Sequence, residues 1–352
     1  MRILLTAGGT GGHVMPAIAI AEAIRDISPG LEVLFVGTDR GLEERVTRSR
    51  GIDFIPLRAL GIKGKSIHEI ARSLGINLMA FLKALGIVRR FRPTWIIGTG
   101  GYVTGMVVLA GRLVGALCAI QEQNSVPGLT NRILSRVVHR VFLAFPDTRG
   151  VFPARKTVYT GNPVRENIIP GENREQPTTL LILGGSLGAR SINRAATGAL
   201  DILKKQGVSL KVIHQCGSAD YPWVKKAYHE CGIEVQVHPF IEDMAQAYQS
   251  AVLAVCRCGG LTLSELSRVM VPSIMIPYPH ATDDHQMENA QFVSARGGGW
   301  ILPDGHLTPQ RLALEIQTRM SDRDGLNTAA QNIGALRLGD GAPRIAQEIL
   351  GV

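Results

Sequence analysis

The chain has 352 residues, 45% of them hydrophobic and 19% charged, with 40 glycines, a composition typical of a globular protein with two domains. Its net charge of +9 suits an anionic partner, which can be nucleic acid, a phosphate-bearing ligand or an anionic membrane surface. Five scattered cysteines argue against a disulfide framework and favour a reducing cytoplasm, and no apolar run is long enough for a signal peptide or a spanning helix.

The first segment of the chain predicts a strand, a glycine-rich loop and a helix. Arg2–Thr6 is a short apolar run, residues 7–12 form the loop, and His13–Asp26 carries apolar side chains at helical spacing. Further buried strands are predicted at Glu32–Gly37 and at Trp95–Gly98, and the latter leads into a second glycine cluster. Continuous apolar strands that alternate with helices predict a parallel sheet with helices on both faces.

The helical segment Lys63–Arg92 combines apolar residues with many cations and a single acid, Glu69. One interpretation is core-packing helices with a solvated basic rim. The other is a membrane-surface patch, in which apolar residues enter the lipid and cations meet phosphates. Gly75 and the nearby Asn77 predict a break into two helices. The residues assigned to the patch are Ile76, Met79, Phe81 and Leu82.

The strand–loop–helix pattern restarts near the middle of the chain. The polar, proline-containing stretch from Arg165 to Pro177 has the composition of a linker, and Thr179–Leu183 then leads through the glycines of Gly184–Gly188 into a helix. Later strands are predicted at Leu210–His214, Glu234–Val237, Ala251–Val255 and Ser273–Ile276. The two halves therefore predict an α/β protein of two Rossmann-like, doubly wound domains that face a cleft.

The first glycine loop, residues 7–12, lies between a strand and a helix, so backbone N–H groups and the helix N-terminus can approach a phosphate or a sugar. It is not a dinucleotide-binding fingerprint, because Val14 stands where a glycine is needed. Gly64–Ser66 is not a P-loop, because Ala59 stands at the position of its first glycine. His13, at the start of the helix, is either a capping residue or a general base.

Two glycine-rich segments of the second half, Gly184–Gly188 and Gly259–Glu265, are further candidates for a phosphate cradle or are tight packing turns. Glu265 can accept both hydroxyls of a ribose, or it complements the helix dipole. The loop His280–Gln286 carries residue types that bind metals, but its spacing lacks helical geometry. Contacts to a sugar are therefore favoured, and no metal site is predicted there or at Cys256 and Cys258.

Six motifs, in this order, resemble the MurG family of glycosyltransferase family 28. They are Ala7–His13, Gly98–Tyr102, Glu122–Asn124, Gly161–Arg165, Gly184–Ser186 and Gly259–Glu265, and together they span essentially the whole chain. The resemblance implies the GT-B fold. It divides the chain into an N-terminal acceptor- and membrane-binding domain (1–162), a UDP-GlcNAc-binding domain (163–337) and a helix returning to the first domain (338–352).

The resemblance also implies an enzyme and its reaction. An inverting hexosyltransferase is expected to move GlcNAc from UDP-GlcNAc to the C4 hydroxyl of MurNAc in undecaprenyl-pyrophosphoryl-MurNAc-pentapeptide. This step converts lipid I to lipid II in peptidoglycan biosynthesis. His13 is the first candidate for the base that deprotonates the acceptor, and Glu122 is the second.

Individual residues are carried over from the family pattern. The implied donor contacts are Thr10, Gly11, Gly12, Asn124, Arg165, Ser186, Ile241, Gly260, Leu261, Thr262, Leu263, Ser264, Glu265 and Gln286. Within this set, Glu265 matches the residue that holds the ribose, and Ile241 matches the residue beside the uracil. Near the acceptor the matching residues are His13, Tyr102, Glu122 and Asn124. Departures from the pattern are small, namely Cys258 for serine, Gly260 for alanine and His285 for glutamine.

The expected partners are UDP-GlcNAc, undecaprenyl-linked lipid I, an anionic membrane surface and proteins of cell-wall synthesis or division. The expected location is peripheral, on the cytoplasmic face of the bacterial plasma membrane. The scheme needs no cofactor or metal, although a divalent cation is compatible with it. Two alternatives are a related nucleotide-sugar enzyme, such as a glycolipid synthase or an epimerase, and a nucleic-acid-binding protein. The low aromatic content of 5% and the lack of a nucleic-acid motif disfavour the latter.

Overall fold

The computed structural model describes residues 1–9, 11–39, 42–61, 67–147, 149–170, 179–185 and 187–352, with residues 42 and 67–71 described by their backbone alone. The chain forms two compact units. Unit 1 contains Met1–Glu166 and Gly339–Val352, and unit 2 contains Asn167–Leu338. The predicted site residues Thr10 and Ser186 lie outside the described residues. No helix in the described part of the chain is long and apolar enough to cross a membrane.

The described part of unit 1 is built on a parallel sheet. Its strands are β1 (Arg2–Ala7), β2 (Glu32–Gly37), β3 (Asp53–Pro56), β4 (Trp95–Gly100), β5 (Leu117–Glu122), β6 (Arg140–Leu143) and β7 (Thr157–Tyr159). Their order across the sheet is β3-β2-β1-β4-β5-β6-β7, and Leu4 pairs with Leu34 on one side and with Ile96 on the other. The strand order reverses between β1 and β4, and the crevice at such a switch point is where open α/β sheets bind ligands.

Helices cover both faces of this sheet. The first five are α1 (Gly11–Ile27), α2 (Leu42–Arg48), α3 (Ile67–Phe91), α4 (Tyr102–Leu113) and α5 (Leu129–Leu134). Side chains of α3 and α4 pack with Leu4 and Ile96 in the core on one face, whereas α1 packs with Ile3 and Ile97 on the other. Because both faces are buried, the central strands read as unbroken apolar runs.

Helix α3 is continuous, so the predicted break at Gly75 and Asn77 is wrong. Asn77 is buried, and its side chain accepts a hydrogen bond from the Leu60 backbone N–H and donates one to the Leu60 carbonyl, both at 2.9 Å. The side chain therefore pairs with the preceding loop and does not compete for the backbone of its own helix. Packing of α3 on α4 outweighs the roughly 1 kcal/mol that a glycine costs inside a helix.

The predicted membrane patch on α3 needs a correction. Met79 and Leu82 are exposed, at 72% and 59%, but Ile76 and Phe81 are only partly exposed. Phe81 packs against the core of unit 1, because it borders the helix face that buries Ala80 and Ala84. Phe81 therefore does not belong to the exposed apolar face.

Unit 2 contains a second parallel sheet. Its described strands are β8 (Thr179–Leu183), β9 (Lys211–Gln215), β10 (Gln236–His238), β11 (Ala251–Cys256), β12 (Ser273–Met275) and β13 (Gly299–Ile301). The order is β10-β9-β8-β11-β12-β13, which places a second switch point between β8 and β11. The helices are α6 (Arg190–Lys205), α7 (Tyr221–Glu230), α8 (Met244–Ser250), α9 (Gly260–Arg268), α10 (His285–Ser294), α11 (Pro309–Ser321) and α12 (Arg323–Ala335).

The last helix, α13 (Gly341–Leu350), belongs to unit 1 and packs on α1. Its residues Ile345 and Ile349 are buried in the same core as the apolar face of α1. Its start is held by a hydrogen bond of 2.9 Å from the Gly341 N–H to the Asn162 carbonyl and by an antiparallel bridge between Pro163 and Asp340. The chain therefore leaves unit 1 and re-enters it at adjacent points.

A buried polar network joins β9 to α6 and α7. His214 contacts the Tyr228 hydroxyl through Nδ1 at 2.9 Å and the Asn193 side-chain oxygen through Nε2 at 3.0 Å. Asn193 in turn donates to the Cys216 carbonyl at 2.8 Å and to the Asp220 carboxylate at 2.9 Å. Burial lowers the pKa of His214 from 6.5 to about 3, so the imidazole is neutral in the folded protein.

This lowered pKa predicts that unit 2 loses stability in acid. Below pH 6.5 the unfolded chain binds a proton that the folded protein excludes from His214, so the free energy of unfolding falls as the pH falls toward about 3. Between pH 7 and pH 5 we expect a loss of about 2 kcal/mol from this group. Urea unfolding at the two pH values, for the wild type and for His214→Gln, measures it.

In His214→Gln, the part of the fall in the free energy of unfolding that comes from protonation of His214 is expected to disappear. The matched control is His229→Gln on the exposed side of α7, which should retain the wild-type pH dependence. Equal acid sensitivity of all three proteins would contradict the assignment.

Candidate functional site

The glycine turns of unit 1 touch at the carboxyl edge of its sheet, beside the switch point. Strand β1 leads through Gly8 into α1, and β4 leads through Gly100 and Gly101 into α4. The Gly8 N–H donates to the Gly100 carbonyl at 3.1 Å, and a Cβ on Gly101, whose φ is 89°, would collide with the Gly8 carbonyl. Only glycine allows this close approach of the two turns.

His13 lies in the first turn of α1, against the second glycine turn. Its Nδ1 is 3.1 Å from the Gly8 carbonyl oxygen. Because a carbonyl only accepts, Nδ1 of the neutral ring carries the proton and Nε2 keeps its lone pair. A Cβ on Gly100 would lie 2.8 Å from Nε2, so the ring rests directly on this glycine. The geometry gives His13 the tautomer that a general base requires.

Glu122 ends β5 and is buried, and both of its carboxylate oxygens accept hydrogen bonds. One oxygen accepts from the Asn124 N–H at 3.1 Å, and the other accepts from the Gly128 N–H at 3.0 Å and from the Asn131 side chain at 2.9 Å. Proton uptake by Glu122 would disturb these contacts. The three hydrogen bonds favour a structural role for Glu122, which holds the loop that carries Asn124. His13 is therefore the stronger candidate for the base.

The remaining residues predicted near the acceptor follow the same edge of the sheet. Tyr102 begins α4 and is exposed, with its ring against Gly61, where a Cβ would collide with it. Gly11 and Gly12, which the family pattern assigned to the donor, form the start of α1. Strands β1, β4 and β5, which are adjacent in the sheet, thus carry the turns that bear His13 and Tyr102 and the residue Glu122 itself.

Glu43 is a further residue of this site, although the sequence alone gave no signal for it. It is buried in the first turn of α2, where one carboxylate oxygen accepts from the Gly9 N–H at 3.2 Å and from the Thr38 hydroxyl at 2.7 Å. An acidic residue in a first turn is ordinarily explained by the helix dipole. The contact to Gly9 shows that Glu43 also anchors the first glycine turn.

In unit 2, the turns after β8 and β11 lie at the second switch point and lead into α6 and α9. Gly260, Leu261 and Thr262 form the N-terminal turn of α9, where backbone N–H groups point away from the helix. Leu263 and Ser264 are fully buried, and the Ser264 hydroxyl donates to the Gly260 carbonyl at 2.7 Å. The family pattern implied donor contacts along the run from Gly260 to Glu265, and those at Leu263 and Ser264 stay predictions.

Two glutamines organise the loops around this edge. Gln215, at the end of β9, accepts from the Ile241 N–H at 2.8 Å and donates to the Gly185 carbonyl at 3.0 Å. The oxygen of Gln286 accepts from the Cys258 N–H at 3.1 Å and from the Tyr278 N–H at 3.0 Å. This orientation presents the NH₂ group of Gln286 as the end that can donate to a sugar hydroxyl.

Arg257 joins the start of α6 to the turn before α9. Its guanidinium contacts the Asp304 carboxylate at 2.6 Å and donates to the Ser191 hydroxyl at 2.7 Å. Nothing in the sequence pointed to Arg257, and its neighbours Cys256 and Cys258 are not predicted to bind a metal. Burial raises the pKa of the Cys256 thiol to about 12 and that of Cys258 well above its usual range, so both thiols stay protonated. Among the described residues, no group of three His, Cys, Asp or Glu residues could hold a metal ion.

Two units of parallel sheet and helices, each with glycine turns at a switch point, have the architecture of the GT-B fold class. Residues 3–143 match the glycosyltransferase family 28 N-terminal domain, and residues 179–348 match the family 28 C-terminal domain. The chain belongs to the MurG family of glycosyltransferase family 28. The fold class and the family expected from the sequence are confirmed.

Named relatives resemble the chain over its full length. One is the UDP-N-acetylglucosamine--N-acetylmuramyl-(pentapeptide) pyrophosphoryl-undecaprenol N-acetylglucosamine transferase of Myxococcus xanthus, 40% identical, with 100% of this chain and 92% of the relative covered. The transferase of the same name from Nitratidesulfovibrio vulgaris strain Hildenborough is 42% identical, with coverage of 99% and 97%. The crystal structure of Acinetobacter baumannii MurG has a TM-score of 0.81 at 32% identity, with coverage of 100% and 99%.

The contact of Glu43 with Gly9 predicts a role in activity. Glu43→Ala leaves the Gly9 N–H without its acceptor and loosens the turn beside His13, so we expect glycosyl transfer to slow by about tenfold or more. The control is Glu44→Ala, which removes an exposed partner of Arg48 and should leave the rate unchanged. Both variants are assayed after circular dichroism shows that they are folded. Wild-type turnover of Glu43→Ala would refute the anchoring role.

Proposed function

We propose that this protein transfers GlcNAc from UDP-GlcNAc to the C4 hydroxyl of MurNAc in undecaprenyl-pyrophosphoryl-MurNAc-pentapeptide, as a hexosyltransferase of peptidoglycan synthesis. The observation that carries the proposal is the full-length match to relatives of about 40% identity that bear this transferase name. A UDP-N-acetylglucosamine 2-epimerase has a TM-score of 0.67, but at 11% identity this likeness extends to the fold alone. The transferase is therefore favoured over the alternative of an epimerase or another sugar-transfer enzyme.

The proposed reaction is a single displacement at the anomeric carbon of GlcNAc. The acceptor C4 hydroxyl gives its proton to Nε2 of His13, and its oxygen bonds to C1 as the bond between C1 and the β-phosphate oxygen breaks. UDP leaves with the electron pair of that bond, and the α-linked donor gives a β-linked product. The assignment of His13 is supported by the contact between Nδ1 and the Gly8 carbonyl, which leaves Nε2 able to accept a proton.

We assign UDP to the carboxyl edge of the unit 2 sheet. Backbone N–H groups at the start of α6 and α9, together with Ser186, would meet the charge that develops on the departing diphosphate. Glu265 would hold the ribose, and Ile241 would lie beside the uracil. Arg165, Asn124 and Gln286 would complete the donor contacts. The scheme needs no metal ion, and a divalent cation is compatible with it.

We further propose that unit 1 docks on an anionic membrane through α3. Four exposed side chains, Leu74, Leu78, Met79 and Leu82, form what we call the α3 patch. At about 100° per residue they fall within an arc of roughly 140°. Arg72, Lys83 and Arg90 follow one edge of that arc, and residues 72–92 contain no acid. Apolar side chains flanked by cations suit the boundary between acyl chains and anionic headgroups.

The cytoplasmic face is the side that we propose for this docking. All five cysteines are free thiols, and four of them are buried, as suits a reducing compartment. On that side the acceptor, which the proposed reaction takes from an undecaprenyl-linked lipid, would lie next to the docked unit.

The central test is transfer of labelled GlcNAc from UDP-GlcNAc to a short-chain lipid I analogue. We expect transfer by the wild type and a loss of about 10²- to 10⁴-fold in kcat for His13→Ala, with UDP affinity preserved. The same assay in EDTA tests the independence from metal ions. No transfer by the wild type would exclude this acceptor, and a His13→Ala variant with normal kcat would remove His13 as the base.

The docking proposal predicts that Met79→Glu with Leu82→Glu strongly weakens vesicle binding. The two substitutions place charges on side chains that would enter the lipid. We therefore expect co-sedimentation with phosphatidylglycerol vesicles to fall at least tenfold while UDP affinity is unchanged. Leu314→Glu, at another exposed leucine, on α11 of unit 2, is the control and should bind like the wild type. Wild-type sedimentation of the double variant would rule out the α3 patch.

A further inference from the structure

Tyr248 lies behind the carboxylate to which the proposed function assigns the donor ribose. It is on α8 and only 1% exposed, and its hydroxyl donates to Oε2 of Glu265 at 2.8 Å. Glu265 is on α9 and is 9% exposed. This charge-assisted hydrogen bond connects the two helices at the point where the ribose would bind.

A hydrogen bond at this position controls the direction of the carboxylate. The last torsion of a glutamate side chain is broad, so an unrestrained carboxylate rotates over a wide range. Two neighbouring ribose hydroxyls need acceptor lone pairs in fixed directions. A buried phenol that holds Oε2 restricts this rotation before the ligand arrives, which lowers the ordering cost of binding.

Helix α8 also links Glu265 to the loop that carries Ile241, the residue proposed to lie beside the uracil. Ile241 lies just before α8, and Asp243 caps the helix by accepting a hydrogen bond from the Gln246 N–H at 3.1 Å. Ala245, Ala247 and Tyr248 form the buried face of this short helix. The phenol is thus held on a capped, packed helix and is not carried by a loop.

We propose that Tyr248 is a positioning residue for donor binding, which orients Glu265 toward the ribose diol of UDP-GlcNAc. It acts through Glu265 and does not touch the ligand. The proposal rests on the ribose role of Glu265 in the proposed function. It adds a residue to which neither the sequence motifs nor the family pattern pointed.

The test compares UDP with 2′-deoxy-UDP by calorimetry. Tyr248→Phe removes only the hydroxyl and keeps the ring that fills the core. We expect its affinity for UDP to fall about five- to tenfold and that for 2′-deoxy-UDP to fall by a clearly smaller factor, because Glu265 would hold only one hydroxyl of the deoxy ligand. In the transfer assay the KM for UDP-GlcNAc rises and kcat is kept.

Two further variants distinguish the possible failures. Tyr228→Phe removes another buried phenol of unit 2, the partner of His214, and should keep the wild-type ratio of the two affinities. Glu265→Ala should abolish the preference for UDP. If it does not, the ribose assignment itself is wrong. If it does, and Tyr248→Phe keeps the preference or weakens both ligands equally, the positioning role of Tyr248 is overturned and the ribose assignment stands.

Discussion

The direct backbone contact between the turns at Gly8 and Gly100–Gly101 is the constraint from which the site in unit 1 follows. It brings the ends of β1 and β4 together with no side chain between them, and His13 rests on Gly100. The Gly8 carbonyl that crowds Gly101 also contacts Nδ1 of His13. The tautomer of the imidazole and the spacing of the two turns therefore depend on the same peptide group, between Gly8 and Gly9, and Glu43 accepts a hydrogen bond from its N–H.

In unit 2, side chains hold together the turns and helices at the carboxyl edge of the sheet. Gln215 joins the turn after β8 to the loop at Ile241, and Arg257, directly after β11, joins Ser191 of α6 to Asp304. Tyr248 spans α8 and α9 through Glu265. Each of these bridging groups holds two segments at once, and each is positioned on a strand end or a helix. Groups that support a binding site from behind in this way fix its geometry before a ligand arrives.

Among the elements that are buried on both faces, the sequence predicted strands β1, β2 and β8 closely. Strand Thr179–Leu183 has the bounds expected from its apolar run, whereas the partly exposed strands β3 and β7 have mixed compositions and gave no signal. The glycine turns were predicted because glycine itself marks them. The side-chain hydrogen bonds that hold these turns and helices were not predicted, because each joins residues that are distant along the chain, as Asn77 is from Leu60. The exposure of Met79 but not Phe81 depends on how α3 is rotated against α4, which periodicity alone does not fix.

The return of α13 to unit 1 has a consequence for synthesis on the ribosome. The apolar face of α1 is completed by Ile345 and Ile349, which are translated after all of unit 2. Unit 2 is continuous in sequence and can fold as it emerges, but the first unit to be made is the last to be completed. Until then, the nascent chain exposes the part of the α1 surface that α13 covers, and it is at this stage that chaperones and proteases meet the least protected form of the protein.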